Sequence, residues 1–175
     1  MRCMQVDLKK CIREIKDFPI PGILFRDITT VLNDSAALKF AVDSMAALVK
    51  GVEFDAVLGP ESRGFIFGMP IAYNLGKAFV PVRKAGKLPS ETCKKEYSLE
   101  YGTATIEIHR DAITPGRRFI IVDDLLATGG TAKAAAELVQ EMGGIVAAQI
   151  FFIELAELNG RDVLGGQDVR SLLVY

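Results

Sequence analysis

Apolar and polar positions follow two different periods along this chain. Near the start, Leu8, Ile12 and Ile15 recur at helical spacing and predict a short amphipathic helix. Phe18-Pro19-Ile20-Pro21-Gly22 comes next, where two prolines and a glycine forbid a regular helix and predict a fixed, extended turn. Leu38, Val42, Met45 and Val49 mark a second helix over Asn33 to Lys50, capped by Asn33, Asp34 or Ser35. From there, apolar runs and helical stripes take turns. Ala56-Val57-Leu58 is a short buried run that stops at Gly59-Pro60, and Gly64 to Leu75 is a helix closed by Gly76. Ala78 to Val82 is a second run, with Pro81 pointing to an edge or a bulge. Thr103 to His109 alternates as a half-buried strand does, and Phe119 to Val122 is apolar throughout. Ala132, Ala135, Ala136, Val139 and Met142 form a helical stripe ended by Gly143-Gly144; Ile145 to Ile153 and Leu172 to Val174 are the last β runs.

Strands interleaved with helices predict an α/β fold, with a mostly parallel central sheet flanked by helices, in a single domain over residues 1–175. Lys84 to Glu96 stands apart. It is basic, polar and without a period, and predicts a long mobile loop of functional kind.

Composition narrows the partners. The formal net charge is -1, so no global basic surface is available to hold nucleic acid, and any anion site must be local. Three cysteines (Cys3, Cys11 and Cys93) without CxxC spacing argue against a disulfide framework or a zinc site and suit a reducing, cytoplasmic setting. A lone His109 cannot build a multi-histidine metal site, and its plain reading is a strand-end residue. No apolar run reaches the roughly 18 residues of a membrane-spanning helix, and no secretory signal follows Lys9, Lys10 and Arg13.

The candidate chemistry lies at strand ends. After Phe119 to Val122 come Asp123-Asp124-Leu125-Leu126-Ala127-Thr128-Gly129-Gly130-Thr131, two acids and a small-residue loop leading straight into a helix. Ligands of parallel α/β sheets sit at the carboxyl ends of strands. Free N–H groups and the dipole at a helix start favour an anion, Gly129 and Gly130 let the backbone approach closely, and Thr128 and Thr131 add hydroxyls. The loop lacks the lysine of a Walker A motif and is not GxGxxG. Carboxylates beside a phosphate need another partner, and a vicinal diol serves; phosphate and diol together describe ribose 5-phosphate. Glu61-Ser62-Arg63-Gly64 forms a second strand-to-helix loop with a guanidinium, and Arg83, Lys84 and Lys87 add cationic reach. Two anion sites suggest a ribose phosphorylated at both ends. The alternatives are a solvated acidic turn for the first loop, a surface ion pair for Arg63 and a solvated basic loop for Arg83 to Lys87.

The run VDDLLATGGT, Val122 to Thr131, resembles the diphosphoribose signature of the type I phosphoribosyltransferase family. FPIPGILFRDI from Phe18, ESRG from Glu61, RKAGKLP from Arg83 and YSLEYG from Tyr97 are similar to its adenine branch, over about Phe18 to Glu154. That resemblance implies the type I fold with a small N-terminal hood, residues 1–33, that binds the base, and a mobile active-site loop over 84–102. It implies transfer of phosphoribose from 5-phosphoribosyl diphosphate to adenine, with Mg²⁺ held mainly by substrate oxygens rather than by protein ligands, in a homodimer. Asp123 and Asp124 would hold the ribose hydroxyls, Ala127 to Thr131 the 5-phosphate, and Glu61, Ser62 and Arg63 the pyrophosphate, with a non-proline cis peptide often found there. Phe25 would stack on the base, with backbone near Leu24 and Arg26 reading its edge. Glu100, between Tyr97 and Tyr101, would hydrogen-bond the purine N7 edge, and Arg63 would stabilise the leaving group. Glu100 is otherwise an exposed acid before a strand. Two other functions compete: transfer to hypoxanthine, guanine or xanthine, and a non-enzymatic regulator that kept the ribose site, against which the short segment before the first strand and the near-neutral charge both speak.

Overall fold

The computed structural model describes residues 6–98 and 102–175. It divides into two compact units, one up to Ser44 and one from Met45 to Tyr175.

In the first unit, α1 (Leu8–Cys11) is followed by β1 (Arg13–Lys16), β2 (Leu24–Asp27), α2 (Thr29–Leu32) and α3 (Ser35–Leu48), whose end lies in the second unit. The expected first helix is therefore only one turn long. Ile15 belongs to β1, where it pairs antiparallel with Phe25 of β2. The Pro-Gly turn is the connection of this hairpin, with a cis Phe18–Pro19 bond and Gly22 at φ +89°. Asp17 anchors it by accepting the Gly22 N–H at 2.7 Å. Asp34 caps α3, its Oδ1 accepting the N–H groups of Ala36 and Ala37 at 2.9 and 3.0 Å. The boundary between the units, at Ser44, falls inside α3.

The second unit holds β3 (Ala56–Pro60), α4 (Arg63–Asn74), β4 (Ala78–Lys84), β5 (Thr92–Ser98), β6 (Thr103–His109), β7 (Arg118–Leu126), α5 (Gly130–Glu141), β8 (Ile145–Glu154), α6 (Gly160–Val163) and β9 (Val169–Val174). They form a seven-stranded sheet in the order β5-β6-β4-β3-β7-β8-β9. The pairings β4-β3-β7-β8-β9 are parallel, and β5-β6 and β6-β4 are antiparallel, so the sheet is mostly parallel as expected.

Burial on both faces explains the unbroken apolar runs. Ala56, Leu58, Val80, Phe119 and Ile121 point to a core shared with Ala134, Ala135, Leu138 and Val139 of α5. The alternate residues meet α4: Phe67 stacks on Phe152 of β8 at 4.9 Å between centroids, and Gly68 lies against Val57 and Phe79.

Three expectations need correction. Lys84 to Glu96 is not one long loop, since β4 extends through Lys84 and residues 92–98 form β5, paired with β6 from Thr92↔His109 to Ser98↔Thr103. The period of two was hidden because Lys95 occupies an inward position, neutralised there by Glu137 at 3.0 Å and by Glu141, both on α5. Cys93 and Tyr97, on the same side, pack against the core. Pro81 lies not in an edge strand but in the interior strand β4, on the stretch that pairs with β3 alone, because pairing with β6 begins at Arg83; the edge there is a local one. Finally, Asp123 and Asp124 are strand residues, because β7 continues beside β8 to Leu126↔Glu154.

β7 is the middle strand of the five parallel ones, and Phe119 to Val122 within it are fully buried. Replacing Ile121, fully buried in β7, with Ala should lower the unfolding free energy by about 2–5 kcal/mol, measured by urea denaturation.

Candidate active site

β3 and β7 run side by side in parallel register, Ala56↔Phe119 to Leu58↔Ile121. Each ends at the same side of the sheet and leads into a helix, α4 and α5. Their ends enclose a cleft of about 530 Å³ lined by Glu61, Ser62, Arg63, Lys84, the acids Asp123 and Asp124, and residues 125–132. Both loops proposed from the sequence thus open onto one space.

The loop after β7 is short, running from Ala127 to Gly129. Gly129 takes φ +83°, and the first intrahelical bond of α5 runs from Lys133 N–H to the Gly129 carbonyl at 2.9 Å. The N–H groups of Gly130, Thr131 and Ala132 precede that bond and are left for an anion. Backbone packing fixes the loop from the other side. A Cβ on Gly129 would lie 2.6 Å from the Gly160 carbonyl oxygen, and one on Gly160 would collide with the Ala127 carbonyl. Tyr97 of β5 and Thr131 share a hydrogen bond between hydroxyls at 3.1 Å.

The loop after β3 contains a cis Glu61–Ser62 peptide, at the position where the resemblance implied one. Arg63 opens α4 and pairs with Asp124, Nε to Oδ2 at 2.7 Å. Arg63 is 44% exposed at its side chain and Asp124 only 8%, so the guanidinium faces the cleft from a buried anchor. Arg83 is engaged by Glu61 at 2.7 Å, and Lys84 lines the cleft. Lys87 lies outside the cleft lining, in the turn after β4. Leu24, Phe25 and Arg26 belong to the first unit, where Phe25 meets Phe18 edge-on at 5.1 Å and Arg26 pairs with Glu14 at 3.1 Å. Glu100 and Tyr101 lie outside the described residues.

Electrostatics divides the acids into two sets. Burial pushes the Asp123 carboxyl well above the usual carboxylate range, and the charge of Asp124 adds to this. The Asp124 N–H, donating to Asp123 Oδ1 at 2.8 Å, works the other way. Burial also raises Asp124, against the pull of Arg63. Glu61 behaves oppositely: burial pushes it up, but the Arg83 hydrogen bond and its cationic neighbours hold it below the ordinary value. Such a divergent set of carboxyls in one cleft is typical of functional sites.

Sequence reasoning missed Tyr97 as a partner of Thr131 at the start of α5, Gly160 as the backing of the loop after β7, and the buried Glu107. Only Gly160 had a local signal, the turn pair Asn159-Gly160.

The raised carboxyls give a signed prediction. A group whose folded pKa lies above its unfolded value favours folding below the unfolded pKa, and loses that contribution as pH rises through the folded pKa. Asp123→Asn keeps the acceptor for the Asp124 N–H and removes the charge. Its Tm should exceed that of the parent at pH 7, and the gap should close as pH falls toward 3.8, the ordinary Asp value. Thermal unfolding across pH measures this; a gap that widens on acidification would contradict it.

Residues 29–155 match the phosphoribosyl transferase domain. The adenine phosphoribosyltransferase of Lachnoclostridium phytofermentans is 55% identical over 168 residues, 96% of this chain and 97% of that one. That of Agathobacter rectalis is 58% identical over the same shares of both chains. Among solved structures, adenine phosphoribosyltransferase from Thermoanaerobacter pseudethanolicus superposes with a TM-score of 0.94 at 54% identity, covering 96% of this chain and 98% of that one. The enzyme from Saccharomyces cerevisiae, complexed with an imino-altritol bisphosphate and adenine, gives a TM-score of 0.86 at 40% identity, covering 93% and 94%. With its strand-end cleft and full-length likeness, the chain belongs to the adenine phosphoribosyltransferase family of phosphoribosyl transferases.

Proposed function

We propose that this chain transfers the 5-phosphoribosyl group of 5-phosphoribosyl diphosphate to adenine, giving AMP and pyrophosphate, as a purine-salvage step. One observation carries the proposal: two strand-end anion loops open on a single cleft around the Asp123–Asp124 pair. The high identity to relatives of that name over nearly the whole chain supports the same reading.

In this reading the N–H groups from Gly130 onward and the hydroxyls of Thr128 and Thr131 take the 5-phosphate, with Ala127 and Gly129 shaping the loop. Asp123 and Asp124 accept from the ribose hydroxyls. The Glu61–Arg63 loop and Lys84 face the diphosphate, with Arg83 and Lys87 behind them. The bond between the anomeric carbon and the diphosphate breaks with its electron pair leaving on the diphosphate oxygen, and a new bond forms from that carbon to adenine N9, whose N–H proton is lost and released with the pyrophosphate. Arg63 stabilises the charge that develops on the leaving group, and the acid pair tolerates positive character on the ribose. Magnesium, when bound, neutralises diphosphate charge. The cleft fits an ion carried in by substrate, since two of its three carboxylates are already paired, Glu61 with Arg83 and Asp124 with Arg63, which leaves Asp123. Diphosphate and ribose oxygens would be its main ligands.

Selection of the base rests on family likeness: Phe25 stacks on adenine, the backbone at Leu24 and Arg26 reads its edge, and Glu100 hydrogen-bonds the N7 side, with Tyr101 beside it. A homodimer in the cytoplasm completes the proposal. No helix among the described residues is long and apolar enough to cross a membrane.

AMP formation with magnesium, assayed against adenine, hypoxanthine, guanine and xanthine, tests the assignment. Adenine should be used and the oxo purines refused; turnover of an oxo purine in preference to adenine would redirect it to another base. Glu100→Gln should lower kcat by about 10²–10⁴ while leaving diphosphate binding nearly intact, and unchanged turnover would remove Glu100 from the mechanism.

A further inference from the structure

Glu107 has no part in the chemistry above, yet it is the most deeply buried acid among the described residues, at 1% exposure. It sits mid-strand in β6 between the buried Ile106 and Ile108, opposite Arg83 of β4 and Lys94 of β5. Its Oε1 accepts the backbone N–H groups of Lys87 at 2.8 Å and Leu88 at 2.9 Å. Its Oε2 accepts from the Thr92 hydroxyl at 3.3 Å and lies 3.8 Å from Lys94 Nζ. Burial alone would push this carboxyl up. The N–H groups of Leu88, Gly86 and Lys87, and the Thr92 hydroxyl, outweigh that and keep it below the ordinary glutamate range.

The turn so held is the one that leaves β4 after Lys84. Gly86 takes φ +82° there, which lets consecutive N–H groups converge on a single anion. The same turn reaches back to the cleft, since the Arg83 guanidinium donates to the Lys87 carbonyl at 3.5 Å and to Glu61 at 2.7 Å. Glu61 and Lys84 line the cleft itself. A leucine between Ile106 and Ile108 would fill this position without the penalty of a buried charge. What a carboxylate adds is the capture of loop amides, which orders the cationic segment before a ligand arrives and lowers the entropy lost on binding.

We propose that Glu107 is a positioning residue for the diphosphate end of the substrate: without touching it, the carboxylate fixes the Gly86–Leu88 turn and so the cationic segment Arg83–Lys87. The proposal rests on the phosphoribosyl-transfer reading for the identity of that ligand.

The test compares Glu107→Ala and Glu107→Gln with the parent chain. Dissociation constants for 5-phosphoribosyl diphosphate with magnesium come from calorimetry, and the KM for adenine from AMP formation. Glu107→Ala should weaken diphosphate binding about tenfold or more, with the adenine KM within about twofold. Glu107→Gln, which retains an oxygen acceptor for the two N–H groups, should stay within about threefold of the parent. Unchanged diphosphate affinity in Glu107→Ala, or equal losses for both substrates alongside a lower Tm, would overturn the proposal and leave Glu107 a fold-stabilising acid. If Glu107→Ala does not fold, hydrogen exchange of the Lys87 and Leu88 amides in the parent protein decides. Slow exchange without ligand supports the clamp, and exchange at the free-peptide rate overturns it. A parent that binds the diphosphate and makes no AMP would sink the transfer reading alone, because the calorimetric comparison does not depend on turnover.

Discussion

A Cβ on Gly64 would lie 2.9 Å from the Asp123 carboxylate oxygen and 3.0 Å from the Val122 carbonyl, closer than a side chain allows. The start of α4 is therefore pressed onto the end of β7, and the rest of the site depends on that approach. It follows from the parallel register of β3 with β7, which makes both strands leave the sheet at one side. It lets Arg63, one residue before Gly64, reach Asp124 at 2.7 Å. The loop after β3 and the acid pair of β7 consequently share one cleft. Gly129 and Gly160 make a second contact of the same kind, backbone against backbone, so the loop after β7 is held in place by α6.

The charges in the cleft are arranged in tension. Asp123 and Asp124 are raised by burial and line the cleft at the end of β7. Glu61 and Glu107, by contrast, are held ionised by hydrogen bonds from Arg83 and from turn amides. The first pair detracts from stability when charged, and the second adds to it as long as the pH stays above the ordinary glutamate range. A fold that keeps an unfavourable acid pair near the end of β7 is consistent with a functional rather than a structural reason for those residues.

Most of the sheet was legible because parallel strands buried on both faces announce themselves as apolar runs: Ala56 to Leu58, Phe119 to Val122 and Ile145 to Ile153 all became strands. The place of the small-residue loop from Ala127 to Gly129 was legible too: it joins an apolar strand to a helix and lines the cleft. Three features were hidden for physical reasons. The β1–β2 hairpin is short and places Arg13, Glu14 and Lys16 on its surface, leaving Ile15 to look like part of a helix. β5 carries Lys95 on its inward side, and the acids that neutralise it, Glu137 and Glu141, are more than forty residues away in sequence. Glu107 alternates with isoleucines as a solvent-facing residue would, and only the turn folded over it reveals that it is enclosed. In each case a charge satisfied by distant chain breaks the local pattern.

The central claim is that the loop from Ala127 to Thr131 binds the phosphate of a ribose phosphate. Titration of the chain with ribose 5-phosphate, followed by the backbone amide resonances, tests it most directly. The amides of Thr128, Gly129, Gly130 and Thr131 should shift together along a single saturable curve, and inorganic phosphate should move the same set more weakly. Saturable binding that leaves those four amides in place, or that moves amides elsewhere in the sheet instead, would contradict the account.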